Sequence, residues 1–579
     1  MSGKWGVCSL RMSTEPGSRD EHELQNRARR VKLAISCLVI IVIVNIKRNW
    51  YRLFVRCWEQ SDFEYNLGRV DMQNLCRIGF AGTDARTLLS AIVVSTAKSE
   101  IHPDSYKGVV VRGTSSMPAF SGEDIMNWPV DFLDVEENTA ESYARSLIQG
   151  FESGNLDYVL PMPEALLFGG LVDELLEKGY GDRIAGLTAS SSFVEADKIE
   201  CKRLCEQARV PVADAWTEVD AGSYQEVCRV CLEYIHSYGG AVLKYPYSAG
   251  GKGARVISNT WEIREVYDTL LKDYKKDYKK YFKNNKWPLL IESRMSGVEI
   301  SFTIFVDREG NYQVLPTSLD YPERFSGQAS QDNPITGGMG SISPHPFESQ
   351  KLLDLVSERF ADPFVEIMKQ KGMLRPCVLY PGCFVSFSLN QEGEMEPSGI
   401  RVCEINIRPG EPEFQAVARR ICNLGPLVQA MFSGDLDKVT PEVRENQLSL
   451  CFGLVVGPGG PDNQKGYPWS VTKYEPVQID FAYMQKKNIQ VIPSGMGYSR
   501  DFGFYSDGSR VAYCNVNGTL GEGQSRGDVA EKLRNRVMAA IGGNKIKVLP
   551  RENPEENRLA LREDIGLHYR LAEKLMQTE

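Results

Sequence analysis

"GGAVLKYPYSAGGKGARVI", residues 239–257, is the stretch on which the reading of this chain turns. Residues 241–245 and 254–257 are short strand-like runs, and between them Gly250, Gly251 and Gly253 surround Lys252. Two such runs joined by a glycine-rich loop read as a hairpin. A Walker-type phosphate loop is excluded, because that motif needs Ser or Thr after its lysine and a helix beyond. Here Gly253 follows Lys252, and a strand comes next. A glycine hairpin can still fold over phosphates, with backbone N–H groups at close range and Lys252 as a point charge. A plain mobile hairpin is the competing reading. Lys244, inside "AVLKY", is costly to bury unless it meets an anion. Lys198, in "EADKIECK", begins a new helical section and by itself reads as a surface lysine.

Downstream, "CEINIRPGEPEFQ" (403–415) places Glu404 and Asn406 in alternation with Cys403, Ile405 and Ile407. Period two puts both polar side chains on one face of a strand. Glu404 is then either a salt-bridged core acid or, with Asn406, an oxygen ligand for a hard cation. Between these motifs stand "VEIS", with Glu299, and "TGGMGSISP" (336–344). In the latter, Gly337, Gly338 and Gly340 flank Met339 and let a backbone approach a ligand without side-chain obstruction. The order along the chain is lysines, glycine hairpin, carboxylate, glycine loop, carboxylate–carboxamide pair.

Upstream of the hairpin, strand-like and helical stretches alternate from residue 72: "NLCRIGF", "RTLLSAIVVSTAKS", "KGVVVRG", "TAESYARSLIQGFESG", "LDYVLPM". Such alternation predicts an α/β domain with a parallel doubly wound sheet. "PEALLFGGLVDELLEKGY" (163–180) reads as one further helix with Pro163 and Glu164 in its first turn. The expected layout is an N-terminal extension (1–71), an α/β domain (72–188), an α+β section (189–440), which a family resemblance implies to be nucleotide-binding with a lid at about 197–262, a small C-terminal domain (445–548) and a polar tail (549–579) that forms a helix.

Bulk properties narrow the function classes. A net charge of -9 argues against general nucleic-acid affinity. The 14 cysteines lie mostly in apolar stretches without paired spacing, which excludes a disulfide framework and predicts a reducing cytoplasm. Cys228 and Cys231 form a lone C-x-x-C that reads as helix packing, since a closed zinc site needs four ligands. Five scattered histidines make a His-based metal centre untenable. Tyr274, Tyr278 and Tyr281 recur at helical spacing among lysines, giving an aromatic face beneath a solvated coat. The run 33–46 is too short for an ordinary spanning helix, and membrane association is expected only if it is a real anchor. Met72, immediately before the first strand, reads as the natural start, with 1–71 from a misassigned start codon.

Taken in order, these motifs resemble the ATP-grasp superfamily and, within it, the glycinamide ribonucleotide synthetases (phosphoribosylamine–glycine ligases), over roughly residues 72–548. "DNPITGGMGSISP" is similar to the family's characteristic loop, and "EINIRPGEPEFQ" to its metal strand and following turn. The resemblance implies ATP contacts for Lys198, Lys244, Gly250, Gly251, Lys252 and Gly253, with Glu292 on the hinge strand beside adenine and Glu299 near the sugar or metal. It implies Mg²⁺ or Mn²⁺ on Glu404 and Asn406, and catalytic roles for Arg408 and Lys252. For the substrates it implies Gly79, Gly82, Pro163, Glu164, Gly337, Gly338, Met339, Gly340, Arg408, Gly410 and Glu411. The implied reaction joins glycine to 5-phosphoribosylamine through glycyl phosphate, in a monomer whose partners are small molecules.

Departures cluster at the substrate end. "GFAGTDARTL" (79–88) keeps Gly79 and Gly82 but has Ala81, Thr83, Asp84 and Ala85 where the family has Gly, Arg, Glu and His; Arg86 stands nearby. Pro409, Glu411 and Phe414 replace Phe, Asp and Thr after the metal strand. Two alternatives therefore stay open: an ATP-grasp carboxylate–amine ligase with another amine, and a non-catalytic nucleotide-binding protein.

Overall fold

The computed structural model describes residues 75–97, 99, 105–113, 128–247, 253–277, 286–327, 330, 332–457, 466–469, 473–499, 503–508, 510–549 and 556–577. The expected extension with its apolar run, Met72, Tyr278 and Tyr281 lie outside them. Among the described residues no helix is long and apolar enough to cross a membrane.

Strands Cys76–Ala81, Tyr106–Arg112, Asp131–Asp134 and Tyr158–Pro161 form one parallel sheet, with Cys76–Ala81 between Tyr106–Arg112 and Tyr158–Pro161. Alternation places Ile78, Phe80 and Val110 on one face, packed with Leu88, Leu89 and Ile92 of helix Ala85–Thr96. Ala81, Val109 and Val111 face the other way, toward Tyr143 and Leu147 of helix Ala140–Glu152. Both faces are covered, as in a doubly wound sheet. The helix expected over 163–180 is broken into Glu164–Phe168 and Leu171–Glu177, because Gly170 adopts φ 83 between them.

The glycine-rich hairpin is real: Ala241–Lys244 pairs antiparallel with Ala254–Ile257. Its sheet also holds Pro288–Ser293 and Trp216–Asp220, with Pro288–Ser293 between Trp216–Asp220 and Ala241–Lys244. Helices Tyr224–Tyr238 and Ile263–Asp277 supply its core, including Cys231 and Tyr274. The lid sheet thus reaches Ser293, beyond the expected 262, while helix Lys198–Ala208 packs Cys201, Leu204 and Cys205 into a different core.

The central sheet is built on the antiparallel pair Cys377–Leu389 and Met395–Asn406, with Val298–Ser301 and Ile304–Val306 added to the first strand. A further sheet runs through Gln447–Val456 and Arg510–Thr519. It accepts Gly340–Ser343 from the middle of the chain and Leu559–Ala560 from the tail. The expected polar tail does form a helix, Leu567–Gln577, and it also buries Leu559, Ile565 and Tyr569 in the C-terminal core. The cysteines among the described residues are free thiols.

Candidate active site

Asp197 starts helix Lys198–Ala208 by accepting hydrogen bonds from the N–H groups of Ile199 (3.1 Å) and Glu200 (3.3 Å). That cap sets Lys198 at the helix start, 3.3 Å from Glu404 Oε2. One turn on, Lys202 lies on the same face and is buried. Its Nζ is 2.7 Å from Glu292 Oε1 and donates to the carbonyls of Val402 (3.0 Å) and Cys403 (3.3 Å). Lys244 ends its lid strand with Nζ 2.5 Å from Glu292 Oε2 and 3.3 Å from Cys403 Sγ. Lysines from separate elements therefore converge on the strand that carries Glu404 and Asn406.

Glu292, expected on the strand beside adenine, is engaged by two lysines. Glu292 is 0% exposed, and its two oxygens face two lysines, so its side chain is a buried counter-ion. Burial pushes its carboxyl up, but Lys202 and Lys244 outweigh that and bring it to about 2. Gly250, Gly251 and Lys252 lie outside the described residues. Gly253, at the foot of the hairpin, accepts a bond from Tyr245 N at 3.0 Å.

The acid side of the site follows from strand register. Gly382 pairs with Glu404 on one neighbour and with Ser301 on the other, so Glu404 shares a face with Ser301 and Glu299. A side chain at Gly382 would stand on that face between them; its absence leaves the face open. Lys198 above all holds Glu404 at about 2, whereas the crowding of protein around Glu299, with Glu404 and Glu323 nearby, pushes that otherwise exposed carboxyl up. Asp320 is pushed well above the carboxylate range by burial and by Glu413 and Glu299. Clustered acids that repel one another suit a cation. Asn406 turns its amide N–H groups to Tyr380 O (3.3 Å) and Glu404 Oε1 (3.5 Å), leaving the carboxamide oxygen for such an ion. Among the described residues no three His, Cys, Asp or Glu side chains form a closed metal cage. Two ligands completed by water and phosphate oxygens is the usual arrangement for Mg²⁺.

Beyond Asn406 the turn is held by arginines. Arg408 lies 3.2 Å from Glu164 Oε2 and 3.3 Å from Glu195 Oε1, and Glu195 Oε2 accepts from Ile407 N at 2.9 Å. Burial pushes the Glu195 carboxyl up; Glu164, although burial opposes it, is drawn down by Arg408. Glu411 Oε2 accepts from Arg86 N at 3.1 Å, and Arg86 also meets Asp84 (2.9 Å) and the Pro409 carbonyl. Asp84 itself caps helix Ala85–Thr96 through Thr87 N at 3.0 Å. Glu411 Oε1 accepts from Gln415, which accepts from Asn515 of the C-terminal sheet. Arg510 donates to the carbonyls of Gly337 and Gly338, fixing the glycine loop against the turn.

Several expected substrate residues belong to this seam. A Cβ at Gly82 would come within 2.7 Å of Pro163 Cδ, and one at Gly410 within 2.6 Å of the Tyr380 ring. Gly338, at φ +91, lies against Pro412. Three others pack elsewhere. Leu156 and Val111 fill the space beside Gly79, Ile565 and Cys451 that beside Gly340, and Met339 is fully buried with both backbone groups bonded to neighbouring strands. In the fold, neighbouring side chains and strands pack closely against these three positions. Lys202, Glu195, Asp320 and Arg510 were not anticipated. Only Lys202 carried a sequence signal, four residues after Lys198 on a helix.

A lysine-bearing antiparallel sheet thus meets a strand that carries a carboxylate and a carboxamide. The family model described as "Phosphoribosylglycinamide synthetase, ATP-grasp (A) domain" matches residues 196–414. The phosphoribosylamine–glycine ligase of Rhodopirellula baltica is 28% identical over 63% of this chain and 79% of its own length. That of Caldanaerobacter subterraneus is 27% identical over 64% and 82%. A chloroplastic enzyme of the same name from Arabidopsis thaliana is 26% identical over 71% and 68%. The crystal structure of the Thermotoga maritima phosphoribosylamine–glycine ligase superposes with a TM-score of 0.57 at 17% identity, covering 84% of this chain and 99% of that one. A biotin carboxylase domain from Hydrogenobacter thermophilus, crystallised with MgADP and bicarbonate, gives 0.51 at 15% identity, covering 80% and 89%.

Proposed function

We propose that the protein is a phosphoribosylamine–glycine ligase, joining glycine to 5-phosphoribosylamine with ATP. The observation that carries this is the convergence of Lys198 and Lys244 on the Glu404–Asn406 strand, immediately before the Arg408 turn. The glycine carboxylate attacks the γ-phosphorus of ATP, and ADP leaves. The amine then attacks the acyl carbon of glycyl phosphate, loses a proton, and expels phosphate. Lys198 and Lys244 place positive charge beside the transferring phosphoryl group. Arg408, itself fixed by Glu164 and Glu195, orients the turn at the acyl end. The lid sheet excludes water from the labile anhydride. Glu404 and Asn406 would hold Mg²⁺, which when bound neutralises phosphate charge. Free thiols throughout the described residues suit a reducing compartment such as the cytoplasm.

Glycine labelled with ¹⁸O in its carboxylate tests the acyl-phosphate step. Transfer of one labelled oxygen to inorganic phosphate is expected; unlabelled phosphate rules the step out.

One observation favours a second reading with a different amine. Arg86, the cation at the first glycine loop, is already engaged by Asp84, Glu411 and the Pro409 carbonyl. Two carboxylates there are poor neighbours for a substrate phosphate. Comparing phosphoribosylamine with unphosphorylated amines as acceptors distinguishes the readings.

A further inference from the structure

Three charged side chains lie beneath the expected phosphate end: Lys202, Glu292 and Lys244, with side-chain exposures of 5%, 0% and 8%. Each comes from a different element, namely helix Lys198–Ala208 and lid strands Pro288–Ser293 and Ala241–Lys244. The Lys202 ammonium has three protons and three acceptors: Glu292 Oε1, Val402 O and Cys403 O. It has no donor left for a nucleotide. The Glu292 carboxylate is shared between the two lysines, one per oxygen. With the neighbouring Lys198–Glu404 pair the group carries three positive charges and two negative, so one positive charge is left over beside the buried set. A buried excess charge is costly unless an anion meets it.

We infer that Lys202 and Glu292 are positioning residues for nucleotide binding: Lys202 occupies half of the Glu292 carboxylate, so that Lys244 keeps enough of its charge to meet a phosphate. Lys202 also ties the helix of Lys198 to the backbone just before Glu404, so lysines and metal strand move as one unit. Without its ammonium, Glu292 would pair with Lys244 alone, one charge for one. Lys244 would then be neutralised from below and withdrawn from its ligand. This inference rests on the ATP-grasp reading and adds a role for residues that contact no ligand themselves.

Binding of the non-hydrolysable analogue AMP-PNP with Mg²⁺, followed by calorimetry on the full-length protein, tests it alongside Tm. Lys202→Met keeps the apolar stem and removes the charge; Kd should rise by about tenfold or more. The double variant Lys202→Met/Glu292→Gln again has one net positive charge, on Lys244. Its Kd should return to within about threefold of the natural protein although more contacts are lost. A merely structural role cannot give that recovery. A K202M Kd within about twofold of the natural value overturns the inference, as does additive loss in a folded double variant. If K202M does not fold, the double variant alone decides on the same criterion. Failure of the unaltered protein to bind AMP-PNP would instead sink the nucleotide-site reading itself.

Discussion

Arg86 and Glu411 meet across the seam between the first glycine loop and the turn that follows strand Met395–Asn406, with Glu411 Oε2 3.1 Å from Arg86 N and 3.4 Å from Nε. They are 325 residues apart in the chain, and their contact joins the helix after the first sheet strand to the turn after strand Met395–Asn406. Burial and Asp84 push the Glu411 carboxyl up to about 7, against the pull of Arg86 and Arg510.

A pH dependence follows. A carboxyl that holds its proton more tightly when folded adds stability that is full below its ordinary value of 4.5 and is lost as pH rises through about 7. Glu411→Gln removes this titration. The stability difference between the natural protein and E411Q, from urea unfolding, should therefore shift against the natural protein between about pH 5 and pH 8. A difference independent of pH would show that Glu411 titrates normally.

Gly338 has φ +91, and a Cβ there would stand 2.4 Å from Pro412 Cδ. Gly338→Ala carries both left-handed strain and this clash. Gly154→Ala, at φ +72 with nothing within 4 Å, carries the strain alone. The strain is worth about 1–2 kcal/mol, so G154A should lose that much in denaturant unfolding and G338A more, with a raised KM for glycine. Equal losses would show that the loop yields freely to Pro412.

Arg408 reaches Glu164 through Nε and Glu195 through Nη2, a fork that lysine cannot reproduce. Arg408→Lys should lower kcat/KM for glycine by about ten- to a hundredfold while Kd for AMP-PNP stays unchanged. Weakened nucleotide binding in R408K would place Arg408 on the ATP side.

Much of this site was legible in the chain, and the rest was hidden for definable reasons. Alternation in "CEINI" placed Glu404 and Asn406 on one face, and strand Met395–Asn406 bears them so. The hairpin around Lys244 was equally readable, because its pairing is local. The ion pairs of Glu292 were unreadable because its partners lie 90 and 48 residues upstream, on elements that only the fold brings beside it. The lid boundary at 262 failed similarly: Pro288–Ser293 enters between two earlier strands, and strand order has no local signal. The packing of Gly340 against Ile565 was hidden as well, because Ile565 comes from a tail read only as a polar helix. The helix over 163–180 was one element by pattern, yet Gly169-Gly170 sufficed to divide it.

Glu404→Gln keeps the shape of the metal strand and removes the charge that faces Lys198. It should leave the Tm within a few degrees and lower kcat by about a hundredfold or more. An unaltered kcat would make Glu404 a structural ion-pair partner.

ADP release by the full-length protein, measured with ATP, Mg²⁺, glycine and freshly generated phosphoribosylamine, tests the central claim most directly. The account predicts release that requires both glycine and phosphoribosylamine, in step with glycinamide ribonucleotide formed. Release with neither substrate's addition, or none at all from protein that binds AMP-PNP, would contradict it.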